Sequence, residues 1–318
     1  MAVSIEDIKK LRKLTSAGLS DCKAALNETN GDMEAAVEIL RQKGKAIAAK
    51  REDRNAAEGC VIAKAAGDFA VIVALNCETD FVAKNAGFVE LTEKLVDLAL
   101  ANKCKSADEL KALAVDGRTV ADLVVEESGK TGEKTEIGAY ECLEAASVVA
   151  YNHFGNKLST IVAFNQAGVD EHVMRDVAMQ VAAMNPVAVN RDCVPQAIKD
   201  SEYNVAVENA IKKAGINPNL VDSEDHISSN IAKGWLTEEE AEKARVIAKE
   251  TAEAKAANLP EQMVKNIAQG RMNKFFKESC LMEQEFVKDA KVTIGQYLEQ
   301  SAKGLVAVDF KRVNLNED

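Results

Sequence analysis

The chain has 318 residues, 47% hydrophobic and only 4% aromatic, enough for two or three domains with real cores and too apolar for wholesale disorder. Its 51 acidic and 40 basic side chains leave a net charge of −11. That balance argues against direct nucleic-acid binding, which needs clustered Lys and Arg to neutralise phosphates.

Residues 1–43 read as three short helices. Ser4 is placed to cap the first, with Asp7 three positions on in capping-box spacing. Ile5, Ile8, Leu11 and Leu14 then recur at helical intervals, and Gly18 stops the run. A second helix covers 19–28 and ends at Asn30-Gly31. Asp32 caps the third, whose stripe is Met33, Ala36, Val37 and Leu40. So small a bundle buries little apolar area, which suits a docking module. The basic run Lys43, Lys45, Lys50, Arg51 and Arg54 reads as a solvated linker, with a phosphate-binding patch as the alternative.

The period then changes. Residues 59–65 alternate, Gly67-Asp68 signals a turn, and 69–75 are almost continuously apolar. This predicts a β-hairpin whose second strand is buried on both faces. The segment Cys77-Glu78-Thr79-Asp80-Phe81-Val82-Ala83-Lys84 leads into an amphipathic helix with Phe88, Leu91, Thr92, Leu95, Leu98 and Ala99 on one face. The same order returns roughly 90 residues later. A strand over 146–153, the turn Phe154-Gly155-Asn156, a strand over 157–164 and a helical stripe from Val173 to Val181 form the second unit. Residues 135–144 and 304–313 are spare strands, one for each sheet.

Residues 195–256 are rich in Ala, Glu and Lys. Thr237 and Glu240 make a capping box for a helix reaching Ala257, and Pro260 marks the next helix start. The reading is a projecting helical hairpin. The expected class is therefore α+β, since antiparallel hairpins followed by helices argue against βαβ winding. Its parts are a three-helix module over 1–45, a linker over 46–58, a core subdomain over 59–145, and a second over 146–318 with the hairpin inserted at about 195–256.

Signals for chemistry are sparse. Cys22, Cys60, Cys77, Cys104, Cys142, Cys193 and Cys280 are scattered with no CxxC pair, so neither a zinc site nor a disulfide framework is expected. Such thiols read as small buried hydrophobes in a reducing compartment. His153, His172 and His226 lack metal-ligand spacing, so no metal is expected. Ser128-Gly129-Lys130-Thr131 resembles the end of a phosphate-binding loop, but Val124 stands where that loop needs a glycine, and a polar loop fits better. GxSxG, HExxH and GxGxxG are absent. The N-terminus has no signal-peptide h-region, and no apolar run is long enough to span a bilayer. A cytoplasmic, cofactor-free protein that is not an enzyme and does not bind membranes is the expectation.

One segment stands out. From composition, Phe81 reads first as core, plugging the strand–helix junction. The alternative is an apolar wedge, with Asp80 fixing the turn through its side-chain oxygen. His153 reads as a surface or edge residue.

The runs IKKLRKLTSAGLSDCKAAL, NGDMEAAVEILR, NCETDFVAKNAGF and GRMNKFFKES, with QEFV, MQVAAMNP and KVTIG, closely resemble the bacterial elongation factor Ts family, in order over nearly the whole chain. The resemblance implies a guanine-nucleotide exchange factor that binds elongation factor Tu, GDP-bound or nucleotide-free, during translation elongation. It also implies that the three-helix module is UBA-like and docks on the partner's nucleotide-binding domain. Thr79, Asp80, Phe81 and Val82 would then press in beside the partner's magnesium site, with His153, Arg12 and Leu19 as secondary contacts. A homodimer is compatible with this reading. The hairpin around 205–250 is longer than the family pattern, and the C-terminal helix of some members has no counterpart after 305–313. Two other readings stand beside it: an adaptor that binds through its first 45 residues, and a thiol enzyme using Cys77 or Cys142 with His153.

Overall fold

The computed structural model describes residues 3–15, 17–215, 224–234, 237–243, 245–246 and 261–316. It opens with α1 (Ile5–Thr15), α2 (Leu19–Glu28) and α3 (Met33–Lys50). Ser4 Oγ accepts from the Asp7 amide at 3.0 Å, and Asp32 accepts from the Ala35 amide at 3.1 Å. Each satisfies an amide that a helix start leaves open. The module's core is small: Leu11, Cys22, Ala25, Leu26 and Ala36. Ile5 and Leu14, expected on the buried stripe, are exposed. Both lie at the ends of α1, whose buried residue is Leu11.

α3 corrects the expected boundaries. It stays helical to Lys50, so the linker predicted over 46–58 begins as helix. The basic run is not a bare linker, since four of its five side chains form ion pairs. Lys43 pairs with Asp21, Arg41 and Lys45 reach Asp122, and Arg51 and Arg54 both hold Glu78. α3 lies against α7 (Val120–Thr131). The contact is close at two glycines, where a Cβ built on Gly129 would fall 2.6 Å from Gly44 Cα. Ser128-Gly129-Lys130-Thr131 is therefore the last turn of a packed helix, ended by Gly132 at φ 70°, and not a polar loop.

Between these helices stand β1 (Glu58–Ala66), β2 (Phe69–Cys77), α4 (Asp80–Ala83), α5 (Ala86–Ala101) and α6 (Ala107–Ala112). The short strands β3 (Ala114–Val115) and β4 (Arg118–Thr119) lead into α7, and β5 (Glu136–Glu144) follows it. β6 (Ser147–Asn152), β7 (Leu158–Phe164) and α8 (Glu171–Met184) come next. Two antiparallel three-stranded sheets result, ordered β1-β2-β5 and β6-β7-β10, where β10 is Ala307–Asn314. Both spare strands thus complete the sheets expected of them, each beside the second strand of its hairpin.

β2 is buried on both faces because it lies between two layers. Phe69, Val71, Val73 and Leu75 face Phe88, Leu95 and Ala99 of α5. Ala70, Ile72 and Ala74 face Val148, Ile161 and Ala163 of the second sheet. Alternating side chains on a strand make this two-sided packing available. Asn152 joins the sheets by acting as a piece of strand: its Oδ1 accepts from Ala63 N at 2.7 Å, and its Nδ2 donates to Ala63 O at 2.9 Å.

By its contacts the chain divides into residues 1–185 with 295–318, and residues 186–294. Within the second unit, α9 (Gln196–Gly215) packs along the helix Glu261–Ser279, with Ala188, Val194, Met272, Phe276 and Cys280 in its core. Arg191 grips Glu283 through Nε and Nη2, at 2.5 and 2.6 Å. α10 (Glu224–Ala232) and the strands β8 (Glu285–Phe286) and β9 (Asp289–Thr293) belong here too. The Thr237–Glu240 capping box forms, with Glu240 N donating to Thr237 Oγ1 at 3.3 Å and Thr237 N to Glu240 Oε2 at 2.9 Å. Ala257 and Pro260 lie outside the described residues. No helix among the described residues is long and apolar enough to cross a membrane.

Candidate functional site

The segment after β2 is built to hold one side chain outward. Thr79 caps the single turn α4, its Oγ1 accepting from the Val82 amide at 3.5 Å. Successive residues on a helix point about 100° apart. With Ala83 buried and Val82 packed against the core, Phe81 faces solvent. It is 83% exposed, so the core reading of this residue is set aside. Asp80 does not fix the turn as expected. Its carboxylate accepts from Lys84 at 2.6 Å, and that bond lowers its pKa.

Two glutamates tie the turn to its surroundings. Glu133 accepts from the Glu78 and Thr79 amides at 3.2 and 3.0 Å and from Thr79 Oγ1 at 2.6 Å. Glu78 in return accepts from the Lys134 amide at 2.6 Å and from Arg51 and Arg54 at 3.0 and 2.9 Å. The Lys134 amide, then the two guanidiniums, hold the Glu78 carboxyl down at about 2. The turn is thereby tied to Arg51 and Arg54, just past the end of α3, and to the α7–β5 connection.

The β6–β7 turn lies at the same end of the sheets. Asn156 O accepts from Val61 N at 2.8 Å, and Lys157 pairs with Glu58, the residue opposite Cys77 in the β1–β2 register. Lys157 also contributes to lowering the Asp80 pKa. His153 is exposed on this turn, with Tyr151 Oη 3.1 Å from its Nδ1. Phe154 beside it is 97% exposed. In the three-helix module Arg12 and Leu19 are exposed, as are Ile5 and Leu14.

Burial keeps both cysteines of the thiol reading protonated. Cys77 Sγ donates to Thr79 O at 3.2 Å and is pushed up to about 12 by burial, while Cys142 donates to Lys105 O at 3.7 Å and is also raised by burial. A protonated thiol is a poor nucleophile. Cys193, expected to be buried, is exposed.

Sequence reasoning missed three contributors. Glu133 lies 54 residues from Thr79, and no local pattern links them. Glu78 sits inside the quoted segment, yet its partners come from other elements. Phe154 did carry a signal: an aromatic residue in a Gly-Asn turn, where polar residues are usual.

Comparison with known proteins adds a frame. The family model described as Elongation factor TS matches residues 78–317. The chain is 52% identical to the elongation factor Ts of Bacteroides thetaiotaomicron over 331 aligned positions, covering all of both chains. It is 51% identical to that of Bacteroides fragilis and 46% identical to that of Porphyromonas gingivalis, again over the whole of each chain. The long segment around 205–250 lies inside these matches.

Proposed function

This chain belongs to the elongation factor Ts family, and from that premise we propose that it is a guanine-nucleotide exchange factor, not a catalyst of covalent chemistry. It binds elongation factor Tu with GDP, releases the nucleotide, and remains on the nucleotide-free partner, acting in the cytoplasm without contacting nucleic acid. The observation that carries this reading is Phe81: an apolar side chain 83% exposed on a turn that two glutamates hold rigid. An exposed aromatic on a preorganised turn suits insertion into a partner, because little side-chain or loop entropy is lost on binding.

In this mechanism Thr79 and Val82 seat the turn, Asp80 and Phe81 press beside the partner's magnesium and phosphate groups, and GDP loses the bridging contacts it depends on. By linkage, GDP weakens this protein's binding by the same factor. The three helices form a UBA-like docking module that uses Arg12 and Leu19. The two sheet-plus-helix units are the repeated core subdomains, with His153 as a further contact.

The test is release of a fluorescent GDP from purified elongation factor Tu by substoichiometric amounts of the protein. Acceleration with turnover is expected. Phe81→Ala should slow it about thirtyfold, the equivalent of ~2 kcal/mol for a lost interface aromatic, with little change in melting temperature. Wild-type protein that leaves the release rate unchanged overturns the reading.

A further inference from the structure

The two most exposed phenylalanines are Phe81 and Phe154. A phenylalanine left almost wholly in water forgoes the burial that core aromatics gain, and a turn tip usually carries Gly, Asn, Asp or Ser. The turn holding Phe154 is not loose. His153 N donates to Leu158 O at 2.9 Å and Asn156 N to His153 O at 3.2 Å, with Gly155 at φ 90° and Asn156 at φ 53°. Asn156 O accepts from β1, Lys157 pairs with Glu58, and Ser159 Oγ donates to Val61 O at 3.1 Å. The side chain therefore leaves a tip whose backbone is anchored to the strand that also registers with the root of the Phe81 turn, Glu58 opposite Cys77.

We propose that Phe154 is a second apolar anchor for the same partner, seated in an apolar pocket while Phe81 enters the nucleotide-binding region. This rests on the exchange-factor reading and deepens it. The two side chains have different tasks. Phe81 stands on the segment that perturbs the nucleotide, so its loss lowers the rate of release even at saturation. Phe154 stands on a separate turn and only holds the complex together, so its loss lowers affinity and leaves the saturated rate unchanged.

The experiment measures GDP release from elongation factor Tu as a function of exchange-factor concentration, for the full-length wild type, Phe154→Ala, Phe154→Leu and Phe81→Ala. For Phe154→Ala the half-saturating concentration should rise on the order of tenfold or more, with the maximal rate and the melting temperature unchanged. Phe154→Leu should recover most of the affinity, because the demand is for apolar volume. An unchanged half-saturating concentration for Phe154→Ala, beside an active wild type, overturns the inference and leaves the exchange-factor reading standing. So does a loss that follows a fall in melting temperature. A wild type that neither binds nor accelerates release brings down both.

Discussion

Glu78 lies where an amide and two guanidiniums converge, and its carboxyl is held at about 2 instead of the usual 4.5. A carboxyl depressed on folding contributes stability that is complete above its unfolded pKa and is lost as pH falls through the folded one. That contribution should therefore disappear between about pH 4.5 and about pH 2. Denaturant unfolding of the wild type and Glu78→Gln across this window measures it. The wild type should lose more stability on acidification, and parallel curves would mean that the charge contributes nothing. The same residue bears on function, since freeing it unties the root of the Phe81 turn from Arg51 and Arg54, just past α3. Phe81 itself was ambiguous in the sequence. CETDFVAK allowed both a plug and a wedge, and only the inward orientation of Val82 and Ala83 decided for exposure.

Among the elements, the contact of α3 with α7 is the least expected. Its asymmetry gives a paired prediction. A Cβ on Gly44 would meet Gly129 Cα at 3.6 Å, an ordinary contact, whereas a Cβ on Gly129 would meet Gly44 Cα at 2.6 Å. Gly44→Ala should stabilise the protein by up to ~1 kcal/mol through helix propensity. Gly129→Ala should destabilise it by ~1–3 kcal/mol, because backbone must move to admit the methyl. Equal melting temperatures for the two variants would contradict this packing. The contact also weighs against an adaptor confined to the first 45 residues. Such a fragment ends inside α3, and it lacks α7 and the Asp122 carboxylate that Arg41 and Lys45 reach. Hairpins, caps and helix stripes were legible because each is a local pattern. This contact was not, since a glycine in a helix signals nothing until its neighbour is known.

At the scale of the whole chain, the cysteines report how completely each layer closes. Cys22, Cys60, Cys77, Cys104 and Cys280 are buried, Cys142 is half-buried and Cys193 is exposed. A thiol reagent on native protein should label Cys193 quickly and Cys142 more slowly, and reach the others only on unfolding. Mass mapping of the labelled sites checks this, and rapid labelling of Cys77 would revive the thiol reading. The sequence by itself determined the α+β class, the repeated hairpin-and-helix order, the spare strands and the helix caps. All of these depend on periodicity, on turn residues or on contacts within a few positions. It also carried, as motif, the family to which the chain belongs. Only the tertiary structure decided that β2 is buried by two different layers, that most of the basic run pairs with distant acids, and that Glu133 holds the Phe81 turn. Only there do Phe81 and Phe154 share one end of the paired sheets. Each of these is a meeting of residues far apart in the chain, and single-sequence patterns report spacing along the chain, not which surfaces meet when it folds.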